Sequence, residues 1–321
     1  KQAPVVLLSA VTSCDGIEKS PSELIVNYGL EKPDFFIKYI KYINYMGVFE
    51  KLVSNNNIDK FINIDNDCLD KISGEDLTSF KSGADIIQQQ INCPFKAFAK
   101  HRLGIKPFSN NSEHLSAAHR GEIFHGVMAE FWKIVKNSET LAKLKLDQKK
   151  LNLLIYGCID KALNIFDVKE PGLLFKGIRD IEKDRIYNVV SSWLDVELER
   201  PVFTVSNCEY KISGAIAGLP IIARIDRVDK MSNCNNVIID YKTGVAKMSD
   251  WFLERPENIQ MPLYALLNPN NSGIIFALVG VDDLKYQGVS EKDLDIIGVK
   301  QAGSIDSNWE EILQRWHNIS E

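Results

Sequence analysis

Two strand-like segments between Gly214 and Gly244 constrain this chain more than any other stretch. The first holds Ala223-Arg224-Ile225-Asp226-Arg227-Val228-Asp229, and the second Val237-Ile238-Ile239-Asp240-Tyr241-Lys242-Thr243-Gly244. Both are rich in Ile and Val, and the polar stretch from Met231 to Asn236 reads as the turn of a β-hairpin. Side chains on a strand alternate between its faces, so Asp240 and Lys242 share one. Asp226, on the neighbouring strand, is placed to converge with them. Arg224 shares the face of Asp226, where it would pair with a carboxylate or reach a phosphate. Arg227 and Asp229 stand an odd number of residues from Asp226 and point the other way.

An Asp-x-Lys strand end is by itself more often a solvated edge or an ion pair than a site. Here Asp240 closes the apolar run Val237-Ile238-Ile239, so the strand is expected to be buried up to the carboxylate. A buried strand that ends in charge is a candidate site. Two carboxylates offer hard oxygen ligands to Mg²⁺ or Mn²⁺, and a lysine beside them orients a water or neutralises charge on a phosphate. Those are the requirements of metal-assisted phosphodiester hydrolysis. Asp226 and Asp240 are therefore candidate metal ligands, with the main-chain carbonyl of Tyr241 as a third oxygen and Lys242 as the candidate catalytic lysine. Gln260-Met261-Pro262-Leu263-Tyr264 opens a short helix that lays Gln260 and Tyr264 on one face. Glu209, just ahead of the hairpin, is either a further carboxylate of the site or a surface strand residue.

Together these residues resemble the RecB-type nuclease domain of the PD-(D/E)XK superfamily. The resemblance rests on Ile225-Asp226-Arg227-x-Asp229, Ile239-Asp240-Tyr241-Lys242-Thr243-Gly244 and Gln260-x3-Tyr264, in the family's order. Upstream, Gly121-Glu122-Ile123-Phe124-His125 resembles the family's histidine motif. Cys93-Pro94-Phe95-Lys96-Ala97-Phe98 with Arg102-Leu103-Gly104 is similar to the opening segment of AddB-like nucleases. The resemblance implies a restriction-endonuclease-like α/β fold, a central mixed β-sheet flanked by helices. It implies a deoxyribonuclease, specifically an exonuclease of DNA repair and recombination, using Mg²⁺ or Mn²⁺ and working beside a helicase or helicase–nuclease partner subunit. His125 would then add an imidazole to the metal ligands, although a lone helical histidine is usually structural. Gln260 and Tyr264 would support the site or contact phosphate. Two departures stand out: Ile225 precedes Asp226 where the superfamily's name has Pro, and Ala223 occupies a position that is often Gly. AddB-like nucleases with an iron–sulfur cluster use one cysteine before the histidine motif and three near the end. Cys93 matches the first, but nothing after Cys234 matches the rest, so no cluster is expected in this chain.

At 321 residues the length suggests about two domains. A net charge of −5 rules out a global polycation, so any DNA contact must come from a local face. One candidate is the stretch 91–120, where Lys96, Lys100, Arg102, Lys106 and Arg120 are opposed only by Glu113. No apolar run approaches the ~20 residues of a membrane span, and the start has no signal-peptide layout. The cysteines include no C-x-x-C pair, against a disulfide scaffold or a self-contained zinc site, so reducing cytoplasm is the expected compartment. There is no G-x4-G-K-[ST], hence no P-loop motor.

Residues 1–85 carry no chemical motif, and the resemblance makes them the tail of a helicase-like region ahead of a nuclease domain at 86–321. In that tail Val5 to Ser9 reads as a strand, Ser20 or Ser22 as a helix cap, and Ser54 to Asn57 as a loop. Tyr39, Tyr42, Tyr45 and Phe49 fall near helical spacing, better suited to core packing than to a stacking platform. The chain begins at Lys1 rather than Met, as expected of a piece of a longer protein. Later helices are expected at 82–104 (interrupted at Pro94), 119–136, 139–166 and 178–198. Strands are expected at 203–211, 215–228, 237–242 and 274–279, with an amphipathic helix at 309–316. The second helix is expected to bury Ile123, Val127, Phe131 and Ile134. Two rival functions stay open: a catalytically silent nuclease fold that binds DNA or a helicase, and a phosphohydrolase acting on small nucleotides. That His125, Asp226, Asp240, Lys242 and Gln260 are all of competent type favours catalysis.

Overall fold

The computed structural model describes Ser13–Cys14, Ile17–Glu18 and residues 83–105, 115–232, 236–280, 284–305 and 307–320. By internal contacts the chain divides into Lys1–Lys71 and Ile72–Glu321. In the first unit, β1 (Ser13–Cys14) pairs antiparallel with β2 (Ile17–Glu18). The strand expected from Val5 to Ser9, the cap at Ser20 or Ser22, the aromatic series from Tyr39 to Phe49 and the loop from Ser54 to Asn57 lie outside the described residues.

The second unit opens with α1 (Ala84–Asn92) and α2 (Pro94–Ala97), which runs into a wider π-turn over Phe98–Arg102. Pro94 sits at the first position of α2, where its missing N–H costs nothing. Next comes α3 (Ala117–Val135), whose start is fixed by a capping box: Ser116 Oγ accepts from the His119 N–H, and His119 Nδ1 accepts from the Ser116 N–H. The helix expected at 139–166 is in fact two, α4 (Ser138–Leu146) and α5 (Gln148–Lys169). Asp147 divides them, because its carboxylate accepts from the Lys150 N–H and so starts a new helix. Then follows α6 (Lys176–Leu198). On α3, Ile123, Val127 and Phe131 are buried as expected, but Ile134 is exposed and Val135 takes the inward position.

The sheet follows: β3 (Phe203–Ile216), β4 (Leu219–Met231), β5 (Asn236–Lys242), then α7 (Gln260–Leu267), β6 (Asn271–Val279), β7 (Leu284–Ser290), β8 (Val299–Gln301) and α8 (Trp309–Ser320). The strands lie in sequence order, β3-β4-β5-β6-β7-β8. Pairing is antiparallel except for β5–β6 and β7–β8, so the sheet is mixed. It is the α/β, restriction-endonuclease-like fold. Ile216 pairs with Leu219 across a two-residue turn, Ala217-Gly218, both at positive φ. That is the turn geometry whose twist suits a hairpin, and it lets both strands run longer than expected.

α7 is the crossover that makes β5 and β6 parallel. Both strands are covered on each side, and every residue of β6 is buried. On one face Val237, Ile239 and Tyr241 pack with Phe124, Val127, Ile186 and Trp193 of α3 and α6. On the other, Ile238, Ile274 and Phe276 pack with Trp251, Met261, Trp309 and Trp316. A smaller cluster joins Ile86 and Ile87 of α1 to Ile216, Ile221, Ile259 and Leu263.

Candidate active site

β4 stays paired with β5 only as far as Arg227 opposite Ile239. One residue past that point, Asp226 reaches across: its Oδ2 accepts the Tyr241 main-chain N–H at 2.9 Å. A side chain thus takes the place of a lost ladder bond and pins Asp226 beside the end of β5. The same oxygen lies 3.2 Å from His125 Nδ1, delivered by α3. Gly121, one turn earlier on α3, permits that approach, since a Cβ there would stand 3.1 Å from Thr243 Oγ1.

Asp240 follows on β5, with 1% of its surface exposed. Lys242 Nζ lies 2.7 Å from Asp240 Oδ2. Gln260, the first residue of α7, ties the group together. Its Oε1 accepts from Lys242 Nζ at 2.9 Å, and its Nε2 donates to Asp240 Oδ1 at 3.1 Å and to the Tyr264 hydroxyl oxygen at 2.7 Å. The Tyr264 hydroxyl in turn donates to the main-chain carbonyl of Arg224 at 2.9 Å. An acceptor facing the ammonium and a donor facing the carboxylate is the one amide orientation that satisfies both.

Burial, and then the neighbouring Asp226, push the Asp240 carboxyl up to about 6, against the pull of Lys242 and His125. Burial works to lower His125, but Asp226 and Asp240 outweigh it and raise the imidazole. Glu209, directly before Tyr210 on β3, is raised by burial and by Asp226, while Arg224, 2.8 Å away, pulls it down.

The model of the PD-(D/E)XK nuclease superfamily matches residues 85–285, more than half of the chain. The chain belongs to that superfamily. No curated protein matches it. Among solved structures, "Crystal structure of SSO0001" aligns with 74% of this chain and 83% of its own at 10% identity, with a TM-score of 0.22. So slight a likeness carries no argument.

PD-(D/E)XK nucleases are typically metal-dependent, and the residues here suit a divalent cation. Asp240 Oδ2 is buried, and among the described residues Lys242 Nζ, 2.7 Å away, is its one partner. It faces a second carboxylate, Asp226, of like charge. Among the described residues no three His, Cys, Asp or Glu side chains converge closely enough to hold an ion unaided. Two carboxylates completed by main-chain oxygen and water is the arrangement Mg²⁺ commonly takes. The site opens into two clefts. One, of about 710 Å³, lies between α3, α5 and the sheet and includes Lys133, Phe166 and Glu209. The other, of about 630 Å³, runs past α1 and includes Asp85, Gln88 and Gln260. Arg224, His125 and Lys242 line both.

Of the residues singled out from sequence, the fold gathers His125, Asp226, Asp240, Lys242, Gln260 and Tyr264 into one connected group, with Glu209 at its rim. Tyr241 contributes through its main chain, because its side chain turns to the opposite face, where Arg227 Nη1 donates to its hydroxyl at 2.9 Å. Arg227 and Asp229 point away from Asp226 as expected, into a fully buried ion cluster with Glu197 and Arg200. The basic stretch at 91–120 does not form a uniform cationic face: Lys100 pairs with Asp85 and Arg120 with the buried Glu182. Lys106 and Glu113 lie outside the described residues. Sequence reasoning missed Gln88 altogether. Its Oε1 accepts the Ile259 N–H at 2.7 Å and its Nε2 donates to the Pro256 carbonyl at 3.1 Å. It thereby clamps the loop that delivers Gln260, and nothing in one sequence marks such a contact across 171 residues.

Proposed function

We propose that this chain is a divalent-metal-dependent deoxyribonuclease of the RecB type, AddB-like, that acts as an exonuclease in DNA repair and recombination beside a helicase in the cytoplasm. On this reading residues 86–321 form the nuclease domain and 1–85 the tail of a helicase-like region. The observation that carries the reading is the convergence of Asp226, Asp240 and Lys242, with Gln260 bonded to both of the latter. No described helix is long and apolar enough to cross a membrane.

Asp226 and Asp240 would hold Mg²⁺ or Mn²⁺ with the Tyr241 carbonyl, and His125, now 3.2 Å from Asp226 Oδ2, would have to shift to add its imidazole to the set. The cation supplies Lewis-acid stabilisation of charge on the phosphoryl oxygens. Lys242, anchored by Gln260, orients the attacking water and neutralises charge that builds on the phosphate as the P–O bond breaks. Gln260 keeps Lys242 and Asp240 in register, and Tyr264 fixes Gln260.

The test is incubation with single- and double-stranded DNA in Mg²⁺ or Mn²⁺. Wild type should cleave, whereas Lys242→Ala and Asp240→Ala should lose about 10²-fold or more in rate while keeping the fold. A wild-type protein that binds DNA without cutting it under either metal would overturn the reading in favour of a silent binding fold.

A further inference from the structure

We propose that Arg224 grips a backbone phosphate of the substrate strand next to the scissile bond, and that Glu209 acts by holding Arg224 in place rather than by ligating metal. The inference rests on the nuclease reading above and assigns the site's contact with the DNA backbone. Of the Lys and Arg side chains described, Arg224 and Lys242 are the two that line both clefts. Lys242 is engaged by Asp240 and Gln260. The other cations of the larger cleft are paired too, Lys133 with Glu130 and Lys169 with Glu122. Arg224 is the most exposed of them, 64% against 51% for Lys133 and 56% for Lys169, and its ion pair to Glu209 uses only Nε, at 2.8 Å. That leaves the two terminal nitrogens of the guanidinium for a ligand, a planar fork that matches phosphate oxygens.

Arg224 is also built into the site. Its main-chain carbonyl accepts from the Tyr264 hydroxyl, the last link of the chain that begins at Lys242. It precedes Asp226 by two residues on β4. Across β3, Cys208 pairs with Arg227 and Tyr210 with Ile225, which sets Glu209 opposite Asp226. Glu209 sits there at φ 51, a left-handed backbone that glutamate rarely adopts. A disfavoured conformation kept at a site's rim points to a side chain aimed at a particular partner, and here that partner is Arg224.

The experiment measures binding of a short single-stranded DNA to wild type, Arg224→Gln, Arg224→Lys and Glu209→Gln in EDTA, from about 50 to 200 mM NaCl. Thermal denaturation confirms that each variant is folded. Loss of one phosphate contact should reduce the slope of log Kd against log salt by about 0.7 in Arg224→Gln. Arg224→Lys should keep the slope but bind several-fold more weakly, since a point charge replaces the fork. Glu209→Gln should keep the slope, weaken binding and leave Mn²⁺ affinity by calorimetry unchanged. An unchanged slope in Arg224→Gln overturns the proposal. So does a Glu209→Gln protein that binds DNA normally but Mn²⁺ poorly, which would make Glu209 a metal ligand. Wild type that neither binds nor cleaves DNA would remove the parent reading itself, and this one with it.

Discussion

Arg227→Met removes the centre of the buried ion cluster, and its effect follows from what it leaves behind. Nε and Nη2 of Arg227 donate to the two Asp229 oxygens, each at 2.6 Å. Nη1 and Nη2 donate to Glu197 at 2.6 and 3.2 Å, and Nη1 also to Tyr241. The guanidinium lies 4.0 Å from the centre of the Trp132 ring. Methionine roughly keeps the bulk against that ring, so the loss is electrostatic. Glu197 and Asp229, both fully buried, keep Arg200 as their one cation, 3.0 Å from each, with the Trp193 indole N–H still donating to Glu197 at 3.0 Å. Removing one partner from a buried pair costs about 3–5 kcal/mol. At about 2–4 °C per kcal/mol for a unit of this size, Tm should fall by about 6–20 °C.

The pH dependence should change sign as well. Burial raises the Glu197 carboxyl, but Arg227 and Arg200 outweigh it and hold it below its ordinary 4.5. A depressed carboxylate contributes its full stability above the unfolded value and loses it as the pH falls through the folded one. Arg227 leads the groups that hold it down, so in the variant burial should outweigh Arg200 and move the carboxyl upward. Its charged form then becomes the costly one, so the variant recovers as the pH is lowered. Melting followed by circular dichroism in EDTA should show a wider Tm gap at about pH 8 than at about pH 5. A loss under about 2 °C, or a gap that widens toward acid, would refute the reasoning.

Three further outcomes are expected. Gln88→Ala frees the loop before Gln260 and should lower kcat more than it changes KM, with about 1–2 kcal/mol lost from stability; Gln88→Glu keeps the acceptor for the Ile259 N–H and should recover part of the rate in steady-state kinetics. Asp240→Asn should abolish cleavage yet raise the metal-free Tm near neutral pH. With its carboxyl pushed from 3.8 up to about 6, folded Asp240 loses stability as the pH climbs through that interval, so a melting curve for Asn that tracks wild type at every pH would contradict the electrostatics. Anaerobically purified protein should be colourless, because a cluster needs about four thiolates and Cys93 is exposed while Cys158 is buried; a visible band that bleaches with dithionite would make Cys93 a ligand.

The grouping of these candidate residues was readable because they obey local rules. Asp240 and Lys242 share a face by strand alternation, and Gln260 and Tyr264 by helical spacing. Asp226 reaches Tyr241 because β4 and β5 are neighbours in sequence. The strands β7 and β8 were not foreseen. β7 reads Leu-Lys-Tyr-Gln-Gly-Val-Ser, with Gly288 where a strand prefers a side chain. The reason is a backbone approach no pattern reveals: a Cβ at Gly288 would lie 2.5 Å from the Ile274 carbonyl oxygen on β6. Ile134 misled because it continues the 3.6-residue series of α3, yet Val135 is the residue that turns inward where the helix ends at Lys136, φ 66. Nothing in the sequence marks Glu197, Arg200 and Arg227 as partners, and only the fold brings them together in the interior.

That buried cluster is the counterpart of the site on the other side of the same strands. Consecutive residues alternate between the two: Asp226 and Arg227 on β4, Asp240 and Tyr241 on β5. Two carboxylates that repel each other are held close only if something other than their own attraction fixes the strand ends. From the front Gln260 and Lys242 hold Asp240. From behind, Arg227 bonds Tyr241, joining the residue after Asp226 to the residue after Asp240. The charges of the cluster balance, two cations against two anions, so it places no net charge behind the site. The repulsion between Asp226 and Asp240 is therefore preserved in the folded protein instead of being relaxed by movement, and on the proposed reading a cation between them would relieve it.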